Sequence, residues 1–252
     1  MYFAILGPLE VRNATAPLLI GGAKRRALLI ALLANANKIV PIDQLMFWLW
    51  PKGTPPRSAS LVIQAHISSL RQQLEPDRAP RSEARLLITT TAGYLIEVGT
   101  QEFDVFQFES LVAEGARWLQ RDDPELAAET LRQALDLWRG AALCDVRDLQ
   151  AARGEVARLE ELQLTAWTRY IESGLRIGRH LEVIPHLAVL VSDFPYHEGF
   201  YAQLMTALAG CGRRAEALAV YQKARRLLAE ELGVEPGPEL RAVEASILRG
   251  SA

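Results

Sequence analysis

The sequence predicts a mainly helical chain with a small amount of β structure: a winged helix-turn-helix followed by an all-α, tetratricopeptide-like part. Three observations carry this. Residues 1–98 run short strands, three helices and a hairpin, in that order, and residues 99–252 keep helical periodicity almost without interruption. A pentapeptide in the second part also returns after 34 residues, Gly178-Arg179-His180-Leu181-Glu182 against Gly212-Arg213-Arg214-Ala215-Glu216. That is the period of a helix–turn–helix repeat.

The elements follow in order. "YFAILG", "LEVR" and "PLLI" are brief apolar or alternating runs broken at Gly7-Pro8 and Asn13, and read as an N-terminal sheet. "KRRALLIALLANAN" places Leu28, Leu29, Leu32 and Leu33 at helical spacing and ends at Asn35-Ala36-Asn37. Pro41 suits the first turn of a second helix, which carries Leu45, Met46, Trp48 and Leu49 into "WPKGTPP". Pro55-Pro56 leads into a third helix over 57–74, and "PDRAPRSEA" reads as a loop. "RLLITTT" and "YLIEV", joined through Ala92-Gly93, form a hairpin, the wing. Beyond residue 103 the predicted helices are 104–121, 124–139, 148–177, 180–193, 197–211, 213–232 and 237–249, with breaks at glycines, prolines and Asp122-Asp123.

The net charge of −2 conceals an asymmetry. Residues 1–98 hold 11 Lys/Arg against 6 Asp/Glu, and residues 99–252 hold 17 against 24. A basic first part suits a polyanion and the acidic second part does not. The two cysteines, Cys144 and Cys211, have no metal-ligand spacing and fit a reducing compartment. No run approaches the ~18 apolar residues of a membrane span. The first residues lack a basic segment before a long apolar one, so they do not read as a signal peptide. The expectation is a cytoplasmic protein that makes no membrane contact, with the sequon Asn13-Ala14-Thr15 inert.

The third helix is the most informative stretch. At 100° per residue, Ala59, Ile63, Ile67, Leu70 and Leu74 form one stripe and account for burial, with Val62 and His66 at its edges. The other side shows Arg57, Ser58, Leu61, Gln64, Ala65, Ser68 and Gln72, with Arg71 on the shoulder, and no acidic residue lies between Arg57 and Leu74. Solvated helix faces usually carry carboxylates. A helix of this length, roughly 27 Å, can cross a major groove roughly 12 Å wide. Gln pairs with the N6/N7 edge of adenine, Arg forks onto guanine O6/N7, Ser serves either purpose, and Leu or Ala touches a thymine methyl. Base reading is therefore assigned to Ser60, Leu61, Gln64, Ala65, Ser68, Arg71 and Gln72. A polar surface helix that merely lacks carboxylates is the alternative. His66 reads as a core-edge residue.

Positive and hydroxylated side chains stand where phosphates would lie. Lys24, Arg25 and Arg26 open the first helix, Arg57 stands at the start of the third, and Arg85 with Thr89, Thr90 and Thr91 flanks the wing. Gly93 and Tyr94 centre the wing, the glycine for a tight turn and the tyrosine for packing. No catalytic constellation is present. His66, His180, His186 and His197 have no metal spacing. The GxGxxA match at Gly210–Ala215 joins two helices instead of following a strand. No cofactor, metal or enzymatic activity is expected.

"GAKRRALLIALLANANKIVPIDQLMFWLWPKGTPPRSASLVIQAHISSLRQQL" and "TTTAGYLIEV" resemble the DNA-binding part of the Streptomyces antibiotic regulatory proteins. "FDVFQFESLV" to "LGVEPGPELRAVEASIL" resembles their bacterial transcriptional activation domain. The resemblance implies an OmpR-type winged helix over 1–98 and a tetratricopeptide-like activation domain over 99–252. It implies activation of antibiotic and other secondary-metabolite genes through direct repeats in double-stranded promoter DNA. The protein would bind as side-by-side protomers, a homodimer on DNA, and contact RNA polymerase through sigma and other subunits in the nucleoid. One departure is Gln72-Gln73, where many relatives carry more basic residues. The alternative function is a tetratricopeptide-like adaptor for protein or peptide partners.

Overall fold

The computed structural model describes every residue except Thr15, Lys52, Pro80, Arg81, Ser251 and Ala252. The sequon's threonine, Lys52 of the Trp-Pro-Lys-Gly run and Pro80-Arg81 of the pre-hairpin loop thus lie outside the described residues. Backbone contacts divide the chain into two compact units, Met1–Leu111 with Gln133–Leu164, and Val112–Arg132 with Thr165–Ala252.

In the first unit, β1 (Tyr2–Ala4) pairs antiparallel with β2 (Glu10–Arg12), Phe3 opposite Val11. The run "PLLI" does not become a strand. It contributes a bridge between Arg12 and Pro17 and one bond from the Leu18 amide to the Val11 carbonyl, 2.7 Å. Pro17 has no N–H with which to extend a ladder. Three helices follow: α1 (Ala23–Leu33), α2 (Ile42–Leu49) and α3 (Ala59–Leu74). α3 begins two residues later than the sequence predicts, because Arg57 and Ser58 lie in a turn closed by the Ala59 amide on the Pro56 carbonyl. Its five buried residues are the five stripe positions, Ala59, Ile63, Ile67, Leu70 and Leu74.

The wing is β3 (Leu87–Thr90) and β4 (Gly93–Ile96), paired from Leu87–Ile96 to Thr90–Gly93 around Thr91-Ala92. It is anchored on its β4 side. Val40 and Tyr94 exchange both backbone hydrogen bonds, 2.7 and 3.0 Å. The Asn37 side chain accepts from the Val98 amide at 2.9 Å and donates to the Val98 carbonyl at 3.0 Å. Gly93 permits the approach: with φ 155°, a Cβ there would sit 2.1 Å from the Val40 carbonyl oxygen.

α4 (Asp104–Gln120) opens with a fully buried carboxylate. Asp104 accepts from the Ile5 and Leu6 amides at 2.8–3.0 Å and faces Arg139 at 3.4 Å. Burial raises its pKa above the usual carboxylate value, opposed by the two amides and Arg139. α5 (Pro124–Leu135) ends and α6 (Arg153–Arg176) begins inside the expected spans, where helix was expected to 139 and again from 148. The Arg139 and Leu143 amides donate to the Leu6 and Ile5 carbonyls instead of to helical partners. Leu143 adopts a left-handed conformation, φ 49°.

The second unit is helical. α7 (His180–Asp193), α8 (Glu198–Gly210), α9 (Arg214–Leu227), widening into a looser turn over Leu228–Leu232, and α10 (Pro238–Arg249) fall within a few residues of the predicted spans. Asp122, Gly178 and Gly212 each take a left-handed conformation at a helix end. Each end is closed by the same six-residue bond: Asp123 to Trp118, Arg179 to Gly174 and Arg213 to Leu208, 2.8–3.0 Å. The repeat legible at Gly178 and Gly212 therefore has a third turn, hidden because aspartate fills the position. Phe200, Met205, Ala217, Leu240 and Ile247 lie in the core of this unit. Among the described residues, no helix is long and apolar enough to cross a membrane.

Gly93→Ala should destabilise the first unit by about 2–4 kcal/mol, from backbone clash and an unfavourable φ. Denaturant unfolding followed by circular dichroism measures this, and a loss below ~1 kcal/mol would show that the Val40–Gly93 contact yields.

Candidate nucleic-acid interface

The α3 stripe decides which flank of the helix faces outward. With the stripe inside, Arg57, Ser58, Leu61, Gln64, Ala65, Ser68 and Gln72 are all exposed, Leu61 to 66 %, and Ser60 is half-buried. No acidic side chain stands in the first turn of α3, and Ser58 gives no side-chain cap. The first amides of the helix are thus unopposed by negative charge.

The wing turn comes close to this flank. Gln64, Thr89, Thr90 and Thr91 line one cleft of about 330 Å³ with Pro41, Ile42 and Asp43 at the start of α2. Thr89 and Thr91 are exposed. Thr90 is turned inward, its hydroxyl accepting from the Gly93 amide at 3.1 Å and lying 3.2 Å from the Gly93 carbonyl. Tyr94 is 5 % exposed and packs, and Gly93 beneath it is buried. Asp43 gives this cleft an acid that the outward flank of α3 lacks. It belongs to a neighbouring helix, and only the fold brings its carboxylate into the cleft.

The basic triplet divides. Lys24 lies over the Trp50 ring at 4.3 Å, a cation–π contact. Arg25 and Lys24 both act on His66, whose pKa is lowered first by burial and then by these two charges. His66 is half-buried at the edge of the stripe, so Lys24 and Arg25 belong to the α3 side. Arg26 points elsewhere. It pairs with Asp145, whose other oxygen accepts from the Leu9 amide at 2.6 Å. This ion pair, with a partner 119 residues away, is what the structure shows at the position expected to meet phosphate.

Arg71 departs in the same way. In place of an outward guanidinium, its Nε donates to the Leu87 carbonyl and its Nη2 to the Thr89 hydroxyl, both at 2.7 Å. Arg85 is exposed, with its amide on Glu75 at 2.8 Å.

The family model "Transcriptional regulatory protein, C terminal" matches residues 19–96, and "Bacterial transcriptional activator domain" matches residues 103–248. The regulatory protein DnrI of Streptomyces peucetius is 38 % identical over 99 % of this chain and 92 % of its own length. This chain belongs to the Streptomyces antibiotic regulatory protein family. Its members are transcriptional regulators, not enzymes. The transcriptional regulator RedD of Streptomyces coelicolor is 36 % identical over 97 % of the chain and 69 % of its own length. The solved structure of Mycobacterium tuberculosis EmbR in complex with a low affinity phosphopeptide superposes on the whole chain, with a TM-score of 0.92 and 33 % identity. The present chain spans 65 % of that one.

Two outcomes follow from the charges. Asp43→Asn removes a negative charge from the cleft and should tighten duplex binding about two- to five-fold at low salt, an advantage that shrinks as salt rises; unchanged affinity would place the cleft away from DNA. His66 holds fewer protons folded than unfolded. Its contribution to stability is complete above the ordinary imidazole value of about 6.5 and is lost as pH falls below it. The gap in melting temperature between wild type and His66→Gln should therefore shift in favour of the variant between pH 7.5 and pH 5, and a constant gap would contradict this.

Proposed function

We propose that this chain is a sequence-specific activator of secondary-metabolite genes. Residues 1–98 act as the DNA-binding domain and residues 99–252 as the activation domain. α3 enters the major groove, and Ser60, Leu61, Gln64, Ala65, Ser68 and Gln72 face the base edges. Arg57, Lys24, Arg25, Arg85 and the wing threonines Thr89 and Thr91 grip the flanking phosphates. Neighbouring protomers occupy direct repeats and together recruit RNA polymerase, raising its effective concentration at the promoter.

The observation that carries this proposal is the exposed, acid-free flank of α3, with Gln64 meeting the wing hydroxyls in one cleft. Membership of a regulator family supports the same reading. Footprinting on the DNA flanking the protein's own gene tests it. Two protected segments spaced by about one helical turn, roughly 10–11 base pairs, are expected. Uniform protection, or none at concentrations that saturate the protein, would overturn it. Gln64→Ala should cost ~1–3 kcal/mol on the protected site and relax preference at one base pair. The repeated helix hairpins of the second unit also suit a peptide adaptor. Peptide binding without retention of any duplex would favour that alternative.

A further inference from the structure

β3 has two edges. One pairs with β4 and its continuation, where the Glu97 amide takes the Leu86 carbonyl at 2.8 Å. The Leu87 carbonyl, one residue on, points to the opposite edge, where no strand lies alongside among the described residues. The last turns of α3 supply what a strand would. Arg71 donates to the Leu87 carbonyl and the Thr89 hydroxyl, both at 2.7 Å. Glu75, one turn later on the same face, accepts from the Arg85 and Leu86 amides at 2.8 and 3.2 Å. Two side chains at i and i+4 thus hold the first residue of β3 and the two residues that lead into it. An unmatched carbonyl or amide at such an edge is costly when water is excluded from it, as it would be under bound DNA.

We infer that Arg71 is a positioning residue for DNA binding, which sets the wing against α3 and acts on phosphate through Thr89 instead of reading a base. This rests on the proposed DNA-binding role. The chemistry is specific. A threonine hydroxyl that accepts from a guanidinium still has its own O–H to donate. The cation polarises that O–H toward a phosphate oxygen. Thr89 is exposed in the cleft it shares with Gln64, so the hydroxyl and the outward flank of α3 meet the same duplex. Arg71 is half-buried, and burial followed by the neighbouring Arg78 charge lowers its pKa, as expected of a guanidinium turned from solvent.

A double-variant cycle tests the inference. Wild type, Arg71→Ala, Thr89→Val and the double variant of the full chain are titrated by fluorescence anisotropy with a duplex selected from a randomised pool by retention on wild type. Scrambled duplex and a salt series run in parallel. Each single variant should lose roughly five- to twenty-fold in affinity, and the double variant little more than the worse single one. Base preference and salt slope should stay as in wild type, and Arg71→Lys should recover only part of the loss, since a lysine cannot span both acceptors. Amide hydrogen exchange should show Leu87–Thr90 exposed in Arg71→Ala while α3 keeps its protection. Additive losses with relaxed preference at one base pair would make Arg71 a base reader, and a salt slope lower by about one would make it a direct phosphate ligand. Either result overturns the inference, as does unchanged affinity. A wild type that retains no duplex would sink the DNA-binding reading itself, and the exchange data would still report whether the contact holds the wing.

Discussion

Five apolar side chains on one side of α3 govern how the interface is built. Ala59, Ile63, Ile67, Leu70 and Leu74 repeat at helical spacing and are buried to within 3 % of complete. Each large one contributes on the order of 1.5–3 kcal/mol when removed from water. Rotating the helix by a third of a turn would expose several of them together. The outward flank is therefore fixed by what the inward stripe demands, and the residues left outside include no carboxylate. The wing is held from two directions, by Val40 against β4 and by Arg71 and Glu75 against β3. Sequence-neutral packing thus sets the geometry in which the polar side chains would meet the proposed duplex.

A second constraint operates around Asp104. A carboxylate this deeply buried is unfavourable alone. Two backbone amides and Arg139 compensate it, and in doing so they tie the tail of β1 to the start of α4. The backbone of residues 139–143 is drawn into the same knot and cannot continue as helix. Arg26, at the base of α1, joins this region through Asp145. These contacts show why the amino-terminal strands are part of the first unit and not an appendage: their carbonyls and amides are partners that the rest of the unit needs.

The amphipathic pattern of α3, the order of elements and the Gly178 and Gly212 turns were legible because each depends on residues close in sequence. Periodicity alone placed the five buried positions of α3. What escaped depends on partners far away in the chain. Nothing near Arg26 in sequence announces Asp145, and nothing near Arg71 shows that β3 will offer a carbonyl and a hydroxyl at 2.7 Å. Asp43 entered the cleft for the same reason. The helix expected to run to 139 stops at Leu135, and the Arg139 amide there goes to the Leu6 carbonyl, a tertiary bond that outweighs local propensity. The turn at Asp122 was invisible as a repeat because aspartate tolerates the left-handed conformation that glycine usually supplies.

Site-specific photo-crosslinking tests the central claim most directly. A photoreactive residue placed singly at Leu61, Ser68 or Gln72 on the outward flank of α3, or at Val189 on the exposed surface of α7, is irradiated with the footprinted duplex. The account predicts crosslinks from the three α3 positions to successive bases within each repeat, and none from Val189. Crosslinks from Val189 with silence from α3 would contradict it.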